Sequence, residues 1–194
     1  MVLRTILIAG AALLMGATAA RAEDLVFRAP PDLVAMPLPA AGAQRFAARN
    51  VRMARREATS ASGLRRIIFS DLPRFGRFTT DSIGAIARDM GAGVGASSCV
   101  EHSVSEVREF EIDGHDAAEL IMICRGLVVD GRVDARTINV RRTVLVMGET
   151  RVYNFQADQY APMAALDPAA SAASWDEAVA SLRWCADNIS CAPR

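Results

Sequence analysis

Two Asp-Gly pairs, Asp113-Gly114 and Asp130-Gly131, constrain the fold of this sequence more than any other feature. An Asp-Gly pair readily adopts the positive φ angles of a tight turn between two antiparallel strands. Between the two pairs, residues 117–124 are apolar in both alternating phases apart from Glu119. Such a pattern is typical of a strand that is covered on both faces. The centre of the chain is therefore predicted to be an antiparallel meander whose middle strand is internal.

Alternation of apolar and polar side chains predicts five further strands. With 117–124 they make six strands, and the other five are 46–57, 64–70, 97–112, 135–147 and 151–157. The small and polar residues of 58–63 and the Pro- and Ala-rich residues of 158–173 are predicted to be loops. Four prolines in 28–43 exclude a helix or a central strand there, so an extended segment is expected.

Two amphipathic helices are predicted. The first places Ile83, Ile86, Ala87 and Met90 on one face, with Thr80 as its cap and an end at Gly91 or Gly93. The following "GAGVG" is interpreted as a cap and loop, because a dinucleotide-binding loop would precede a helix. The second helix begins at a capping box formed by Ser174 and Glu177, and its buried stripe comprises Trp175, Ala178, Val179, Leu182 and Cys185. The predicted fold is α+β, a mostly antiparallel sheet of about six strands with two main helices packed on it.

The order of these elements resembles the PsbP-like fold, which occurs in extrinsic proteins of photosystem II and in exported bacterial relatives. The pieces that carry the resemblance are the hairpins "IDGHDAAELIM" and "RTVLVMGETRVYNFQA" and the closing "WDEAVASLRW". The resemblance covers residues 45–186. It implies a non-enzymatic binding or assembly factor, and it supplies no catalytic residues.

The N-terminus has the pattern of a secretory signal peptide. Arg4 precedes an apolar run over 5–17, and Ala20-Arg21-Ala22 forms a cleavage motif. The expected organisation is a signal peptide over 1–22, an extended Pro-rich segment over 23–44 and a single α+β domain over 45–194. All 22 basic residues are arginine, which indicates codon bias in a GC-rich bacterial genome. The chain is therefore expected to be periplasmic or secreted, with no transmembrane segment after cleavage.

Four cysteines in an exported protein predict two disulfides, and sequence alone leaves three pairings open. Cys185 and Cys191 are neighbours at the C-terminus, which favours their pairing and leaves Cys99 with Cys124. A regular hairpin through Asp113-Gly114 would place Cys99 about 13 Å too far along its strand. A disulfide requires Cα atoms within about 7 Å. The pairing therefore requires bulges between Cys99 and Ile112, or a chain that folds back before the strand.

His102 and His115 are the candidates for metal or acid–base chemistry. Cys99 and His102 have a Cys-x2-His spacing, but the paired CxxC motifs of a zinc site are absent from the sequence. No G-x-S-x-G motif occurs either. We therefore expect no metal, no cofactor and no catalysis. A small periplasmic enzyme or metal-binding protein that uses His102 or His115 is the alternative.

Charge is distributed unevenly although the net charge is zero, a balance that argues against nucleic acid as a partner. Residues 45–77 hold nine arginines against two acids, whereas 101–119 hold seven acids against one arginine. One interpretation is that these segments form neighbouring strands whose charges pair across the sheet. The other is a surface for an anionic ligand or a partner, formed by Arg45, Arg49, Arg52, Arg55, Arg56, Arg65 and Arg66.

These features together predict an exported, disulfide-stabilised, non-enzymatic binding or assembly protein. Its partner is expected to be another periplasmic protein or a small ligand.

Overall fold

The computed structural model describes residues 24–36, 56–74 and 82–185. The helices are α1 (Ile83–Ser98), α2 (Pro168–Ala173) and α3 (Asp176–Ala180), and a 3-10 turn covers Met163–Ala165. The strands are β1 (Asp24–Val26), β2 (Leu33–Met36), β3 (Arg56–Ser60), β4 (Arg65–Pro73), β5 (Cys99–Val104), β6 (Arg108–Ile112), β7 (His115–Val129), β8 (Arg132–Met147), β9 (Arg151–Pro162) and β10 (Arg183–Cys185).

Within the described residues, eight strands form one antiparallel sheet. Their order is β2-β3-β4-β9-β8-β7-β5, and β6 also pairs with β7. Strands β1 and β10 form a separate antiparallel pair. The α+β class and the antiparallel sheet are as predicted, but six strands was too few. The predicted strand 97–112 is divided into β5 and β6, and the Pro-rich segment contributes the edge strand β2, a position that tolerates nearby prolines.

Both Asp-Gly pairs form the predicted turns. Asp113 and Gly114 have φ angles of 49° and 83°, and Asp130 and Gly131 have φ angles of 49° and 74°. These left-handed conformations match the twist of the flanking strands. The meander β6-β7-β8-β9 follows from these turns and from a third turn between β8 and β9.

Hydrophobic side chains fill both faces of the sheet. On one, called here the Trp175 face, Phe69, Phe155 and Trp175 belong to a cluster that also includes residues of β1, α3 and β10. On the other, called the α1 face, Ile86 of α1 packs with Leu120 and other residues of β7 and β8. Strand β7 therefore lies between two covered layers, as its uniform apolar pattern predicts.

Helix α1 extends well beyond its predicted end. Ser82, and not Thr80, caps it by accepting a hydrogen bond from the backbone N–H of Ala85, and the helix continues through "GAGVG" to Ser98. Thr80 lies outside the described residues. A Cβ atom at Gly91 would lie 3.1 Å from Leu120 Cδ2, and one at Gly95 would lie 2.3 Å from His102 Cδ2. These glycines therefore allow the helix to approach β5 and β7 closely. Their role is in tertiary packing, and they do not terminate the helix.

Two glycine substitutions test this interpretation. Gly93 is exposed in the helix and a Cβ atom there meets nothing within 4 Å, so Gly93→Ala should raise the free energy of unfolding by about 0.5–1 kcal/mol. Gly91→Val should lower it by about 1–3 kcal/mol, because the added side chain overpacks the contact with Leu120. Urea denaturation measures both values. If Gly93→Ala destabilises the protein, residue 93 is not helical in solution.

The C-terminal part differs from the predicted loop and single helix. Strand β9 continues to Pro162, Asp167 caps α2 by accepting from the Ala169 N–H at 2.9 Å, and Cys185 lies in β10. Ser174 ends α2 and does not form the predicted capping box. The predicted buried stripe is nevertheless buried, at Trp175, Ala178, Val179, Leu182 and Cys185. Burial was predictable because a short helix and a strand place these residues toward the same core.

At the N-terminal side, β3 occupies 56–60, so part of the predicted loop 58–63 is strand. Residues 46–55 and the predicted signal peptide lie outside the described residues. Within the described part of the chain, no helix combines the length and the apolar character needed to cross a membrane.

Candidate functional site

Cys99 and Cys124 form a disulfide, with their Cα atoms 5.3 Å apart. One of the irregularities predicted for this strand is present, and in the resulting register His102 pairs with Cys124 and Cys99 with Leu127. Arg108 pairs with Glu119, but Val104 pairs with Met122, so the strand containing Cys99 holds one extra residue between β6 and β5. A second irregularity lies on β7, where Gly126 has a φ angle of 72° and the register with β8 shifts. One predicted bulge is therefore present between Cys99 and Ile112, whereas the second irregularity changes the pairing of β7 with β8 beyond Cys124.

The second predicted disulfide stays a prediction. Cys185 is buried in β10. Cys191 lies outside the described residues.

The two histidines lie far apart. His102 pairs with Cys124, which is nine residues, or about 30 Å of strand, from His115 on β7. The His115 ring stacks on Trp184 with centroids 4.0 Å apart. His102 and His115 therefore cannot serve one site. No group of three or more His, Cys, Asp or Glu side chains suited to a cation occurs in 24–36, 56–74 and 82–185.

The two arginines of the predicted contact surface whose side chains are described lie on opposite faces of the sheet. Arg65 and Arg66 are consecutive in β4, and therefore point to opposite faces. Arg65 bonds Asp32 at 2.8 Å and lies over the Trp175 ring at 4.4 Å. Arg66 lies on the α1 face. The positions of Arg45, Arg49, Arg52 and Arg55 and the side chain of Arg56 are outside what the structure describes.

For the described strands, the predicted pairing of basic and acidic segments is wrong. Strands β3 and β4 are separated from β6 and β7 by β9 and β8. The sequence could not show this, because β9, which comes last along the chain, enters the sheet between β4 and β8.

A polar cluster lies on the α1 face where β4, β9 and β8 are adjacent. Its centre is Asp158, which has no exposed surface and pairs in register with Arg66 on one side and Arg141 on the other. Arg141 donates from Nε to Asp158 Oδ1 at 2.7 Å, and Arg66 donates from Nη2 to Oδ2 at 3.2 Å. Gln156 also donates to Asp158, at 2.7 Å. The carboxylate thus fixes the guanidinium groups.

These contacts determine the charge states in the cluster. Burial alone would raise the pKa of Asp158, but the charge and hydrogen bond of Arg141, with help from Gln156 and Arg66, hold that pKa below its usual range. Burial, and then the Asp158 charge, raise the pKa of Tyr160. Tyr160 is therefore a neutral phenol at physiological pH. Its oxygen accepts from Arg66 Nη2 at 2.8 Å, so its own hydrogen is available to another acceptor.

A cavity of about 310 Å³ adjoins this cluster. One side is polar and is formed by Asn139, Arg141 and Tyr160. The other side is largely apolar and includes the disulfide, Met122, Leu127, Val128 and Val129. Asp130 lies in its lining at the exposed hairpin turn. A cavity of this size with a few convergent polar groups is the usual form of a small-ligand site.

The Trp175 face carries a different buried ionic cluster. Glu119 accepts from Arg108 and from Arg142, and Arg142 also bonds Asp176 of α3. Burial would lower the pKa of Arg142, but its hydrogen bonds to Asp176 and Glu119 raise it. The two arginines balance the charge of the two acids, and the bond from Arg142 to Asp176 connects α3 to the sheet. This arrangement is structural.

Two larger clefts open on that face. One, of about 560 Å³, contains the Arg65–Asp32 ion pair, and the other, of about 420 Å³, contains Arg142 and Asp176. In both, these described charges pair with each other, as Arg141 of the disulfide-lined cavity pairs with Asp158. The disulfide-lined cavity differs because polar donors meet an apolar wall.

Sequence reasoning missed the Asp158 cluster, because 158–173 was predicted to be a loop. A signal was present. Asn154, Gln156, Asp158 and Tyr160 alternate with Tyr153, Phe155 and Ala157, which is the pattern of a strand with one polar face. Residues 139, 141 and 143 of β8 repeat that pattern, so the two polar faces could have been paired.

No family model and no curated protein matches the sequence. The structure is similar to cyanobacterial PsbP (CyanoP) from Synechocystis sp. PCC 6803, with 11% identity, a TM-score of 0.48, and coverage of 87% of this chain and 95% of that chain. It is similar to LpqN, involved in cell envelope biogenesis of Mycobacterium tuberculosis, with 12% identity, a TM-score of 0.44 and 87% coverage of both chains. It is also similar to a protein of unknown function from Pseudomonas aeruginosa, with 12% identity, a TM-score of 0.41, and coverage of 92% of this chain and 89% of that chain.

These likenesses concern the arrangement of strands and helices, and no residue role follows from them.

Proposed function

We propose that the protein is an exported, non-enzymatic binding protein that holds a small anionic ligand in the disulfide-lined cavity. The observation that carries the proposal is the placement of two hydrogen-bond donors, Arg141 and Tyr160, at the border of an apolar cavity. Export is supported by the N-terminal pattern of the sequence and by the Cys99–Cys124 disulfide, which persists in oxidising compartments.

The donors favour an anion over a neutral ligand. Arg141 bonds Asp158 through Nε and Nη2 and also hydrogen-bonds Tyr160, and since a guanidinium has five N–H groups, two remain for another acceptor. Tyr160 accepts from Arg66 and therefore offers its own O–H. A guanidinium and a hydroxyl donor together match the oxygens of a carboxylate or a phosphate, and hydrogen bonds to an ionised acceptor are about twice as strong as neutral ones.

Arg141 is also held in place before a ligand arrives. Its side chain is 16% exposed, and its bonds to Asp158 restrict its rotation. A donor fixed in this way loses little conformational entropy on binding. The cavity therefore has a preorganised anion end.

The test is an NMR titration of the oxidised chain with butyrate and with inorganic phosphate. The resonances of the Arg141 Nε–H group and of the Tyr160 ring should shift together and saturate. Tyr160→Phe should weaken the binding about tenfold, because the bound anion loses a charge-assisted hydrogen bond. Tyr153→Phe is the matched control, since it removes the same hydroxyl from the opposite face.

The control should bind like the unmodified protein. Shifts that are spread over the surface, or that are equally reduced by both substitutions, would contradict an anion site at Arg141 and Tyr160.

A further inference from the structure

We infer that the anion bound at Arg141 and Tyr160 carries an alkyl chain, so that the ligand is an amphipathic carboxylate or phosphate. This inference rests on the proposed function, and it concerns the apolar wall of the same cavity. Oxidation of Cys99 and Cys124 removes two thiol donors from that wall, and Met122 and Leu127 add apolar surface. A small inorganic anion would leave this wall in contact with water.

The apolar wall continues onto a projecting hairpin. The pairing of β5 with β7 reaches Leu127, and the pairing of β9 with β8 reaches Thr137. Residues 128–136, called here the arm, therefore extend past both neighbouring strands within the described chain. Val128 and Val129 line the cavity, and Val133 pairs directly with Val128.

The arm carries two exposed valines. Val129 is 59% and Val133 is 63% exposed, whereas the rest of the arm from Asp130 to Arg136 is largely polar. An alkyl chain that leaves the Arg141 end along the wall reaches these valines, and burial of each methylene would be favourable.

The arm is fixed at its base. The Asp134 carboxylate accepts from the Arg136 N–H at 3.0 Å and from the Thr137 hydroxyl at 2.6 Å. On the other strand of the hairpin, β7 has a left-handed backbone at Gly126, where its register with β8 shifts. The apolar wall is therefore a formed surface, and it does not depend on folding of the arm around a ligand.

The experiment measures the affinities of butyrate, hexanoate, octanoate and octyl phosphate for the full, oxidised chain by calorimetry, all below their micelle concentrations. Affinity should rise by up to about fourfold for each added methylene, and at least tenfold from butyrate to octanoate. Octyltrimethylammonium, with the same chain and the opposite charge, should not bind detectably. Octanoate and octyl phosphate distinguish a fatty-acid-like from a phospholipid-like head.

The outcomes separate the two proposals. Equal affinities of butyrate and octanoate would overturn the alkyl chain and leave the anion site standing. Octyltrimethylammonium binding as tightly as octanoate would overturn the anion site. Val129→Ser should weaken octanoate about threefold without changing butyrate, whereas Val34→Ser, an equally exposed valine on the far edge strand β2, should change neither. Equal effects of the two valine substitutions would exclude the arm as the binding wall.

Discussion

Replacing Trp175 by alanine should lower the free energy of unfolding by about 3–5 kcal/mol, the largest effect that we expect from a single substitution. Trp175 has no exposed surface and precedes α3, where it packs in the core that joins the sheet to the C-terminal elements. Alanine would leave a large cavity and would also remove the ring on which Arg65 lies. Urea denaturation followed by far-UV circular dichroism measures the loss.

Trp175→Phe is the matched control and should lower the free energy of unfolding much less. Phenylalanine retains most of the apolar contact, and it removes the indole Nε1, which is buried without a hydrogen-bond partner among the described residues. If the two substitutions destabilise the protein equally, the indole is held by a polar contact and not by packing.

Replacing Arg141 by methionine should lower the free energy of unfolding by about 3 kcal/mol at pH 7. Methionine fills similar space, but it leaves the buried Asp158 carboxylate with Arg66 as its remaining described cation. Removal of one partner from a buried ion pair costs about 3–5 kcal/mol, and Arg66 keeps the loss at the lower end. Arg136→Met is the control, because Arg136 is exposed on the arm.

The pH dependence identifies the cause of this loss. The pKa of Asp158 is lowered by folding, so its ionised form stabilises the folded state above the unfolded pKa of about 3.9, and this contribution is lost as pH falls through the lower folded pKa. Without Arg141 the pKa of Asp158 in the folded state rises, so the variant loses less folding free energy when this carboxylate is protonated. The stability difference should therefore shrink between pH 7 and the lowest pH at which both proteins stay folded. A constant difference would show that Asp158 is not its source.

Features that depend on a few neighbouring residues could be predicted from the sequence. Asp113-Gly114 and Asp130-Gly131 form their turns because a left-handed backbone is a local property of these residues. The internal position of β7 follows from its apolar pattern. The Cys99–Cys124 bond could be proposed, with its requirement for an irregular strand, because strand geometry is uniform enough to expose a mismatch.

Features that depend on contacts between residues far apart in the sequence could not be predicted. Gly91 resembles a helix terminator and Gly95 a loop residue, but both are needed where α1 approaches Leu120 and His102. Asp158 and Arg141 are ordinary polar residues in the sequence, and they become a site only because β9 and β8 place them side by side. The alternation of polar and apolar residues in β9 shows that the polar face of this strand could nevertheless have been predicted.

The position of β9 has a consequence for the order of assembly. Arg65 of β4 pairs with Gln159 of β9. The β3–β4 hairpin is therefore synthesised more than ninety residues before the strand that completes its pairing. The hairpins from β6 to β9 close short loops and can form first, whereas docking of β4 closes a long one and is slower. Until β9 is complete, β4 exposes an unpaired edge to other chains. The nascent protein is therefore most prone to aggregate at its N-terminal hairpin, and a chaperone that shields this edge would improve its yield.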